Sequence, residues 1–248
     1  LKEASSPMVG AMEIDDPRQI DEALWESKHS AEKHKNTRRT NPLTHASLNQ
    51  QRPSPASGNK IKREWFQRIH ESELPFNPMA VKRDFWIDGA FTDKTENDES
   101  AQMACSFFRG NLYIFNCHGV RKELNEYLKY IKPWLKSMNY RSTSSVWIEM
   151  KASGYAFYSM LRSPDHGNHN CRKINSKTVA SGKMTRVEAG QPTLASGKVF
   201  LVHGSWNEAF IDQCASFPND VHDDMVDVLM YAIDEYFIQA GEVEVAYS

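Results

Sequence analysis

Apolar and polar residues alternate in short blocks from residue 84 onward, and the first three blocks have the texture of β-strands. They are rich in aromatic and β-prone residues and comprise 84-DFWIDGA-90, 101-AQMACSFFRG-110 and 111-NLYIFNCHGV-120. The segment Arg109-Gly110-Asn111 joins the second block to the third and predicts a tight turn. We therefore predict three consecutive strands that form a meander.

Residues 121–139 have the periodicity of a helix instead. Their apolar residues recur at helical spacing, so one face is expected to pack on a sheet while Lys122, Lys129 and Lys136 point into water. Pro133 is expected to kink this helix. The apolar stripe consists of Leu124, Tyr127, Leu128, Ile131, Leu135 and Met138.

The rest of the chain adds further strands and helices. A strand, a helix and a second strand in succession indicate parallel pairing, because a crossover connection returns the chain in the same direction. We therefore predict an α/β fold with a ribonuclease-H-like mixed central β-sheet flanked by helices. The segments are 145–150 as a buried strand, 153–162 as a helix with Ser153 as its N-cap, 163–198 as polar loops, 199–203 as a short strand and 222–238 as a long helix.

The overall charge and the cysteines exclude several classes of protein. With 30 Lys and Arg against 32 Asp and Glu the net charge is −2, so any DNA-binding surface has to be local. The four cysteines are widely spaced without a CxxC pair, which indicates reduced thiols rather than a disulfide scaffold. No apolar run approaches the roughly 20 residues that span a bilayer, and residues 1–30 lack an export leader. We expect a soluble protein that has no membrane partner.

Composition also divides the chain into regions. Residues 1–60 have few apolar clusters, and 49-NQQRPSPASGNK-60 is dense in Pro, Ser, Gly and Asn, which is typical of a linker. We predict a partly irregular segment over 1–60, one folded domain over 61–240 and a tail over 241–248. Because the chain begins with Leu1 rather than Met, we also expect it to be a piece of a longer polypeptide.

Two acidic residues stand at the ends of predicted strands. Asp88 follows the run 85-FWI-87, and Glu149 follows the run 146-VWI-148. Burying a carboxylate at such a position costs energy unless a cation or a hydrogen-bond donor satisfies it. Both acids are therefore candidates for metal binding.

A third acidic point is 222-HDD-224, at the start of the last predicted helix, where the helix dipole favours carboxylates. By helical phase Asp224 should lie closer to the apolar face than Asp223 or Asp227 does. We therefore favour Asp224 as the third ligand and keep Asp223 as the alternative.

This set of acids fits phosphodiester hydrolysis. Two Mg²⁺ or Mn²⁺ ions roughly 4 Å apart can stabilise the attacking, non-bridging and leaving oxygens together. Mg²⁺ prefers oxygen ligands and keeps several waters, so a few carboxylates suffice, and a metal-bound water would be the nucleophile. Each acid taken alone is more commonly a turn or capping residue, so the prediction depends on the whole constellation.

Several stretches in a fixed order resemble the C-terminal nuclease domain of the large terminase subunit of tailed bacteriophages, the DNA-packaging motor. Each stretch is modest on its own, and their common order is the specific feature. They are 50-QQRPSPASG-58 with 64-EWF-66, 87-IDGAFTDKTENDESA-101, 148-IEMKASG-154, 183-KMTRVEAGQPTLASGKVFLV-202 and 217-FPNDVHDDMVDVL-229.

The resemblance implies a function and a set of site residues. Asp88, Glu149 and one of Asp223 and Asp224 correspond to the metal-binding acids of a domain that cuts concatemeric double-stranded DNA. The implied partners are DNA, the ATPase domain of the same subunit, the small terminase subunit and the portal, in the cytoplasm of the infected bacterial host. Asp98 matches a family acid of unassigned role, and a simple turn residue is an equally good interpretation.

Two features depart from the full-length family pattern. Residues 23–51 resemble the end of the ATPase domain, but no GxxxxGK[ST] phosphate loop occurs in the sequence. The dipeptide 220-DV-221 precedes HDD where the family often has Gly or a basic residue. The motor half is thus not expected in this chain.

Residues 171–198 contain six basic residues and a single acid, Glu188. Such a stretch can bind DNA phosphates without sequence preference, although an ordinary solvated loop is the alternative. His222 is a candidate for proton transfer or metal binding, but a hydrogen bond at the helix start is the more common role. The candidate DNA-binding residues are Lys183 and Arg186, which the resemblance covers, followed by Arg172 and Lys173.

Two other functions remain open. A Holliday-junction-type resolvase of the same fold would use the same acids on four-way junctions. A non-catalytic module that docks DNA or the portal would need no metal chemistry at all.

Overall fold

The computed structural model describes residues 60–89, 99–151, 154–219 and 223–239. Contacts divide the chain into Leu1–Gly58 and Asn59–Ser248, and all described residues belong to the second unit. In this part of the chain no helix is long and apolar enough to cross a membrane. Several predictions lie outside the described residues, namely those on Asp98, Ser153 and His222, on 220–221, on nearly all of 1–60 and on 241–248.

Seven strands of the described residues form one mixed sheet in the order β1-β7-β4-β3-β2-β5-β6. The central strands β2, β3 and β4 pair antiparallel, whereas the flanking pairs β2/β5, β5/β6, β4/β7 and β1/β7 are parallel. This is the predicted mixed sheet. The strands are β1 (Gln67–Ile69), β2 (Asp84–Asp88), β3 (Ser100–Phe108), β4 (Asn111–Val120), β5 (Val146–Ile148), β6 (Cys171–Lys173) and β7 (Val199–Val202).

The predicted tight turn joins β3 to β4. Arg109 and Gly110 have φ angles of 49° and 75°, which suit a two-residue hairpin loop because both central residues of such a turn are left-handed. Glycine adopts this conformation without steric cost. The meander was therefore correctly predicted from local sequence.

Six α-helices of the described residues flank the sheet. The last α-helix begins at Asp224 and continues as a π-helix over Asp234–Gln239. The predicted single helix over 222–238 therefore consists of an α-helical and a π-helical segment. Pro133 lies inside α1 without ending it. The helices are α1 (Leu124–Ser137), α2 (Gly154–Arg162), α3 (Ser176–Ala180), α4 (Lys183–Ala195), α5 (Asn207–Ser216) and α6 (Asp224–Ile233).

Two hydrophobic cores cover the two faces of the sheet. In β2, Phe85 and Ile87 belong to the core with α1 and α2, while Trp86 belongs to the core with α4, α5 and α6. This alternation follows from the two-residue repeat of a strand, and it buries β2 on both sides. Helix α6 contacts β2, β3 and β4 as well as α4 and α5. The ends of β2 and α6 are thereby brought together.

The prediction of polar loops over 163–198 was wrong, because this segment contains β6, α3 and α4. The buried face of α4 includes Arg186 and Gly190 beside Val187 and Leu194, so it does not display an apolar stripe. A Cβ at Gly190 would lie 2.7 Å from the sulfur of Met230, and the glycine thus allows close packing on α6. Strand β1 and helix α5 were also missed.

Candidate metal centre

Asp88 and Glu149 stand side by side at one edge of the sheet. Strands β2 and β5 are parallel, with Ile87 opposite Ile148, so the next residue of each strand lies at the same edge. The backbone N–H of Glu149 donates to the carbonyl oxygen of Ile87 at 3.1 Å, which fixes the end of this pairing. The two strand-end acids are thus neighbours, as their positions in the sequence led us to expect.

The carboxyl groups of Asp88 and Glu149 are close enough to shift the pKa of each other. Burial raises the pKa of Asp88 well above its usual range, and the bond to Glu149 and the charges of Glu149, Asp227 and Asp224 add to this shift. Burial also acts to raise the pKa of Glu149, but hydrogen bonds from Asp88, Lys151 and Tyr231 outweigh it and lower the pKa. Asp88 therefore holds a proton more readily than Glu149 does.

Glu149 has two further partners that the sequence did not reveal. Lys151 Nζ lies 2.6 Å from Glu149 Oε1, and the hydroxyl of Tyr231 donates to the same oxygen at 2.6 Å. Tyr231 is a buried residue of α6, so this bond ties the last helix to the end of β5. A Cβ at Gly154 would overlap the carbonyl oxygen of Glu149, so the turn after β5 requires glycine there.

Asp224, the first residue of α6, belongs to the same electrostatic cluster. Burial raises its pKa to about 6; Lys183 opposes this, while the carboxylates of Asp223 and Asp227 contribute to it, as does Glu99. Asp224 also raises the pKa of Asp88. The structure thus brings the third candidate acid within electrostatic range of the strand-end pair.

Asp227 and Asp223 both form ion pairs with the ammonium group of Lys183. Lys183 Nζ lies 2.5 Å from Asp223 Oδ1 and 2.6 Å from Asp227 Oδ2, and Arg186 Nη2 donates to Asp227 Oδ1. Asp227 is only 6% exposed and is more buried than Asp224, so the expectation from helical phase was wrong on this point. Every residue of α6 from Met225 to Ile233 is buried, and phase therefore does not separate an inner face from an outer one.

The four cations predicted to bind DNA fall into two groups. Arg186 is buried, bonds to the carbonyl oxygens of Thr178 and Ser181, and lies 4.9 Å from the ring of Tyr231. The Arg186 side chain is thus only 6% exposed, and Lys183 is bound to two carboxylates. Arg172 and Lys173 are exposed on β6, an edge strand of the sheet.

Glu99 is a further acid beside the cluster. It precedes β3, its Oε1 lies 3.2 Å from Arg121 Nη2, and its charge acts on Asp224. A Cβ at Gly119 would overlap its carboxylate, so the neighbouring strand leaves room for this side chain. Its position next to Asp98 was the only signal in the sequence.

Within the described ranges, no group of three or more His, Cys, Asp and Glu side chains forms a ready-made metal cage. Asp88 and Glu149 form a close pair of acids, and the charge of Asp224 acts on Asp88 electrostatically. All of these donors are carboxylate oxygens, which suit hard cations such as Mg²⁺ and Mn²⁺. Since Mg²⁺ usually keeps several waters, one or two protein carboxylates are a sufficient ligand set.

The fold and the edge acids together define the class of ribonuclease-H-like domains. More narrowly, residues 118–235 match the family described as the terminase RNaseH-like domain. The matched stretch includes Glu149 and Asp224, while Asp88 lies before it. No curated protein matches the chain in sequence.

Solved structures with the same fold come from phages and from a herpesvirus. The large terminase of a thermophilic bacteriophage has a TM-score of 0.52 at 11% identity, over 71% of this chain and 44% of that protein. The large terminase nuclease of thermophilic phage G20c with bound magnesium has a TM-score of 0.52 at 14% identity, over 73% and 100%. The human cytomegalovirus terminase nuclease domain has a TM-score of 0.53 at 14% identity, over 73% and 97%.

At sequence identities of 11–14%, the similarity between this chain and these structures concerns the fold alone. The chain aligns with less than half of the first of these large terminases but with the whole of the G20c nuclease. The solved structures confirm the predicted ribonuclease-H-like sheet, and the family match over residues 118–235 agrees with the predicted resemblance to terminase nuclease domains.

Proposed function

We propose that this chain provides the endonuclease of a viral DNA-packaging terminase, which cuts concatemeric double-stranded DNA by metal-dependent phosphodiester hydrolysis. The main support is the adjacency of the Asp88 and Glu149 carboxyl groups at the ends of paired strands, with Asp224 within electrostatic range. Carboxylates crowded in this way repel one another when ionised. A bound divalent cation relieves that repulsion without a proton.

Asp88, Glu149 and Asp224 would hold Mg²⁺ or Mn²⁺, in agreement with the oxygen-only donor set. Two such ions would supply charge that stabilises the attacking and leaving oxygens of the phosphodiester. The G20c nuclease was solved with bound magnesium, and the cytomegalovirus domain was soaked with manganese. These relatives support the choice of cation for this chain.

Asp224 is a better candidate than Asp223 for the third ligand. Asp223 and Asp227 share the ammonium of Lys183, whereas among the described residues Asp224 has no ion-pair partner. A carboxylate without a cation of its own gains most from a metal ion. Asp223 would then adjust the charge around the centre and serve as the alternative ligand.

The remaining residues of the centre would orient the ligands. Tyr231 holds one oxygen of Glu149 from inside the protein, and Lys151 approaches the same oxygen from the exposed side. Arg186 and Lys183 fix the first turns of α6 through Asp227, and thereby the direction of Asp224. A bound cation would favour the ionised form of the Asp88 carboxyl group.

The wider organisation is proposed on the same basis. Residues 1–60 would contain the end of the ATPase domain and a linker, 61–240 the nuclease domain and 241–248 a tail. The ATPase domain of the same subunit, the small terminase subunit and the portal would be partners in the cytoplasm of the infected bacterial host. Asp98 and His222 remain accessory candidates.

A plasmid-cutting assay tests the proposal. The purified chain should nick or linearise supercoiled plasmid with Mn²⁺ or Mg²⁺ and be inactive in EDTA. Asp88→Asn should abolish cutting while its circular dichroism spectrum and melting temperature show an intact fold. Lys136→Gln, an exchange on the exposed face of α1, is the matched control and should cut like the parent.

Two results would contradict this function. Faster cleavage of four-way junctions than of linear duplex would identify a junction-resolving nuclease instead. Duplex binding that persists in EDTA, together with no metal-dependent cutting, would identify a docking module.

A further inference from the structure

A groove lies next to Glu149 and has mixed chemistry. It has a volume of about 540 Å³ and is lined by Met150, Lys151, Tyr155, Lys173, Ile174 and Val179, among others. Sites for small organic groups have volumes of roughly 300–1,000 Å³. We call this feature the Tyr155 groove.

The wall of the Tyr155 groove is apolar and aromatic. Met150, Ile174 and Val179 contribute aliphatic surface, and Tyr155 projects from the start of α2 with 58% of its surface exposed. An exposed aromatic ring costs free energy in water and is the usual platform on which a nucleic-acid base stacks. The wall therefore suits a flat, weakly polar ring.

The rim of the groove is positively charged. Lys151 and Lys173 both line it, both are exposed, and Arg172 stands next to Lys173 on β6. The lining residues that the structure describes include no acid. Its charge thus complements a phosphate group attached to the ring that the wall accepts.

The groove is continuous with the candidate metal centre. Met150 and Lys151 directly follow Glu149 in the chain, and Lys151 Nζ lies 2.6 Å from Glu149 Oε1. A phosphate on the groove rim would therefore be close to the phosphate that is cut. The occupant should belong to the same DNA strand as the cleaved bond.

A base-paired nucleotide does not fit this description. In a duplex the faces of each base are covered by its neighbours, and only base edges and backbone are accessible. Backbone alone would leave the apolar wall of the groove in contact with water. A base that has left the stack would cover Tyr155 and the aliphatic wall, and this contact would offset part of the cost of unstacking.

We propose that the Tyr155 groove binds one unpaired nucleotide of the DNA strand next to the cleaved phosphodiester, with its base on Tyr155 and a phosphate at Lys151 and Lys173. This inference rests on the proposed function and makes it more specific. The substrate would then be a duplex that frays or opens locally at the site of cutting.

DNA binding by the full chain in EDTA, where no cutting occurs, tests this inference. Fluorescence anisotropy compares a blunt duplex with the same duplex that carries four unpaired thymidines at one end. Tyr155→Ala should weaken binding of the tailed duplex roughly tenfold, within the range of a single lost stacking contact, and leave the blunt duplex unchanged. Tyr155→Phe, which keeps the ring, should bind both like the parent.

Two further variants complete the design. Met79→Ala removes an equally exposed apolar side chain (57% exposed) away from the groove and should change neither affinity. Lys173→Gln should weaken binding of the tailed duplex and reduce its dependence on salt. Equal losses on both duplexes, or no effect of Tyr155→Ala on the tailed duplex, would overturn the inference.

The plasmid assay keeps this result separate from the proposed function. If the parent chain does not cut plasmid but Tyr155→Ala selectively weakens binding of the tailed duplex, the role of the Tyr155 groove is supported and the nuclease function is rejected. If the parent chain cuts plasmid but Tyr155→Ala binds both duplexes normally, the nuclease is supported and the role of the Tyr155 groove is rejected.

Discussion

Two groups of acids lie beside α6, and they differ in whether the protein supplies their cations. Asp227 is nearly as buried as Glu149, but it is bound by both Lys183 and Arg186. Asp88 and Asp224 are held in a crowded cluster with pKa values raised by burial and by neighbouring acids. The first group is neutralised inside the fold. In the second, Glu149 pairs with the exposed Lys151, while the ion pairs of the described residues include neither Asp88 nor Asp224.

This difference separates structural acids from candidate ligands. A buried carboxylate with a complete set of donors stabilises the fold and has little to gain from a metal ion. Buried carboxylates without a direct ion pair, such as Asp88 and Asp224, are costly for the fold, and such costs are typical of functional sites. Variants on either side of the comparison should therefore affect different properties.

The largest effect on stability is expected from Arg186→Met. Breaking a buried ion pair by removing one partner costs about 3–5 kcal/mol, and the low end applies because Lys183 still contacts Asp227. Urea unfolding should show a loss of about 3 kcal/mol. Lys177→Met, on an exposed residue, should change stability by less than about 0.5 kcal/mol. Equal stability of the two variants would show that the pair does not hold the fold.

Asp224→Asn, in contrast to Arg186→Met, should lower cutting activity without lowering stability. We expect cutting to fall about 100- to 1,000-fold, as for loss of one group that stabilises the transition state, with stability unchanged or increased. Asp223→Asn should lower cutting less, because Asp223 is already paired with Lys183. Plasmid cutting at a fixed Mn²⁺ concentration measures both, and a reversed order would make Asp223 the ligand.

Gly154→Ala should disturb the metal centre through the backbone. The added methyl group would overlap the Glu149 carbonyl oxygen, and overpacking of this kind costs about 1–3 kcal/mol. Cutting and melting temperature should therefore fall together. Gly182→Ala provides a control, since the nearest atom to its Cβ would be 3.8 Å away, and it should be neutral.

The smallest effect concerns pH and metal. Asp224 has a pKa of about 6 in the folded chain against 3.8 ordinarily, so the folded state holds its proton longer as pH rises. Its contribution favours folding below pH 3.8 and is lost as pH rises through about 6. Mn²⁺, which competes with that proton, should raise the melting temperature more at pH 7.5 than at pH 5. Asp224→Asn should reduce this difference, although competition at Asp88 would remain. An unchanged difference would exclude Asp224 as a ligand.

Much of the fold was predictable from local patterns. The strands β2, β3, β4, β5 and β7 and the helix α1 have strong periodicity, and the turn at Arg109 and Gly110 has a specific signature. Helix α4 was missed because its buried face contains an arginine and a glycine, which become suitable only against Asp227 and Met230. The periodicity of apolar residues cannot reveal pairs such as Arg186 with Asp227 or Gly190 with Met230.

The sequence by itself determined that Asp88 and Glu149 end two buried strands, because a run of apolar residues that ends in an acid is a local property. Only the tertiary structure decided which acids have cationic partners, since Lys183 and Arg186 reach Asp227 across about 40 positions of chain. It also decided that Tyr155 and Lys173 line one groove beside Glu149. Pairing and burial depend on the packing of distant segments, and no local pattern specifies them.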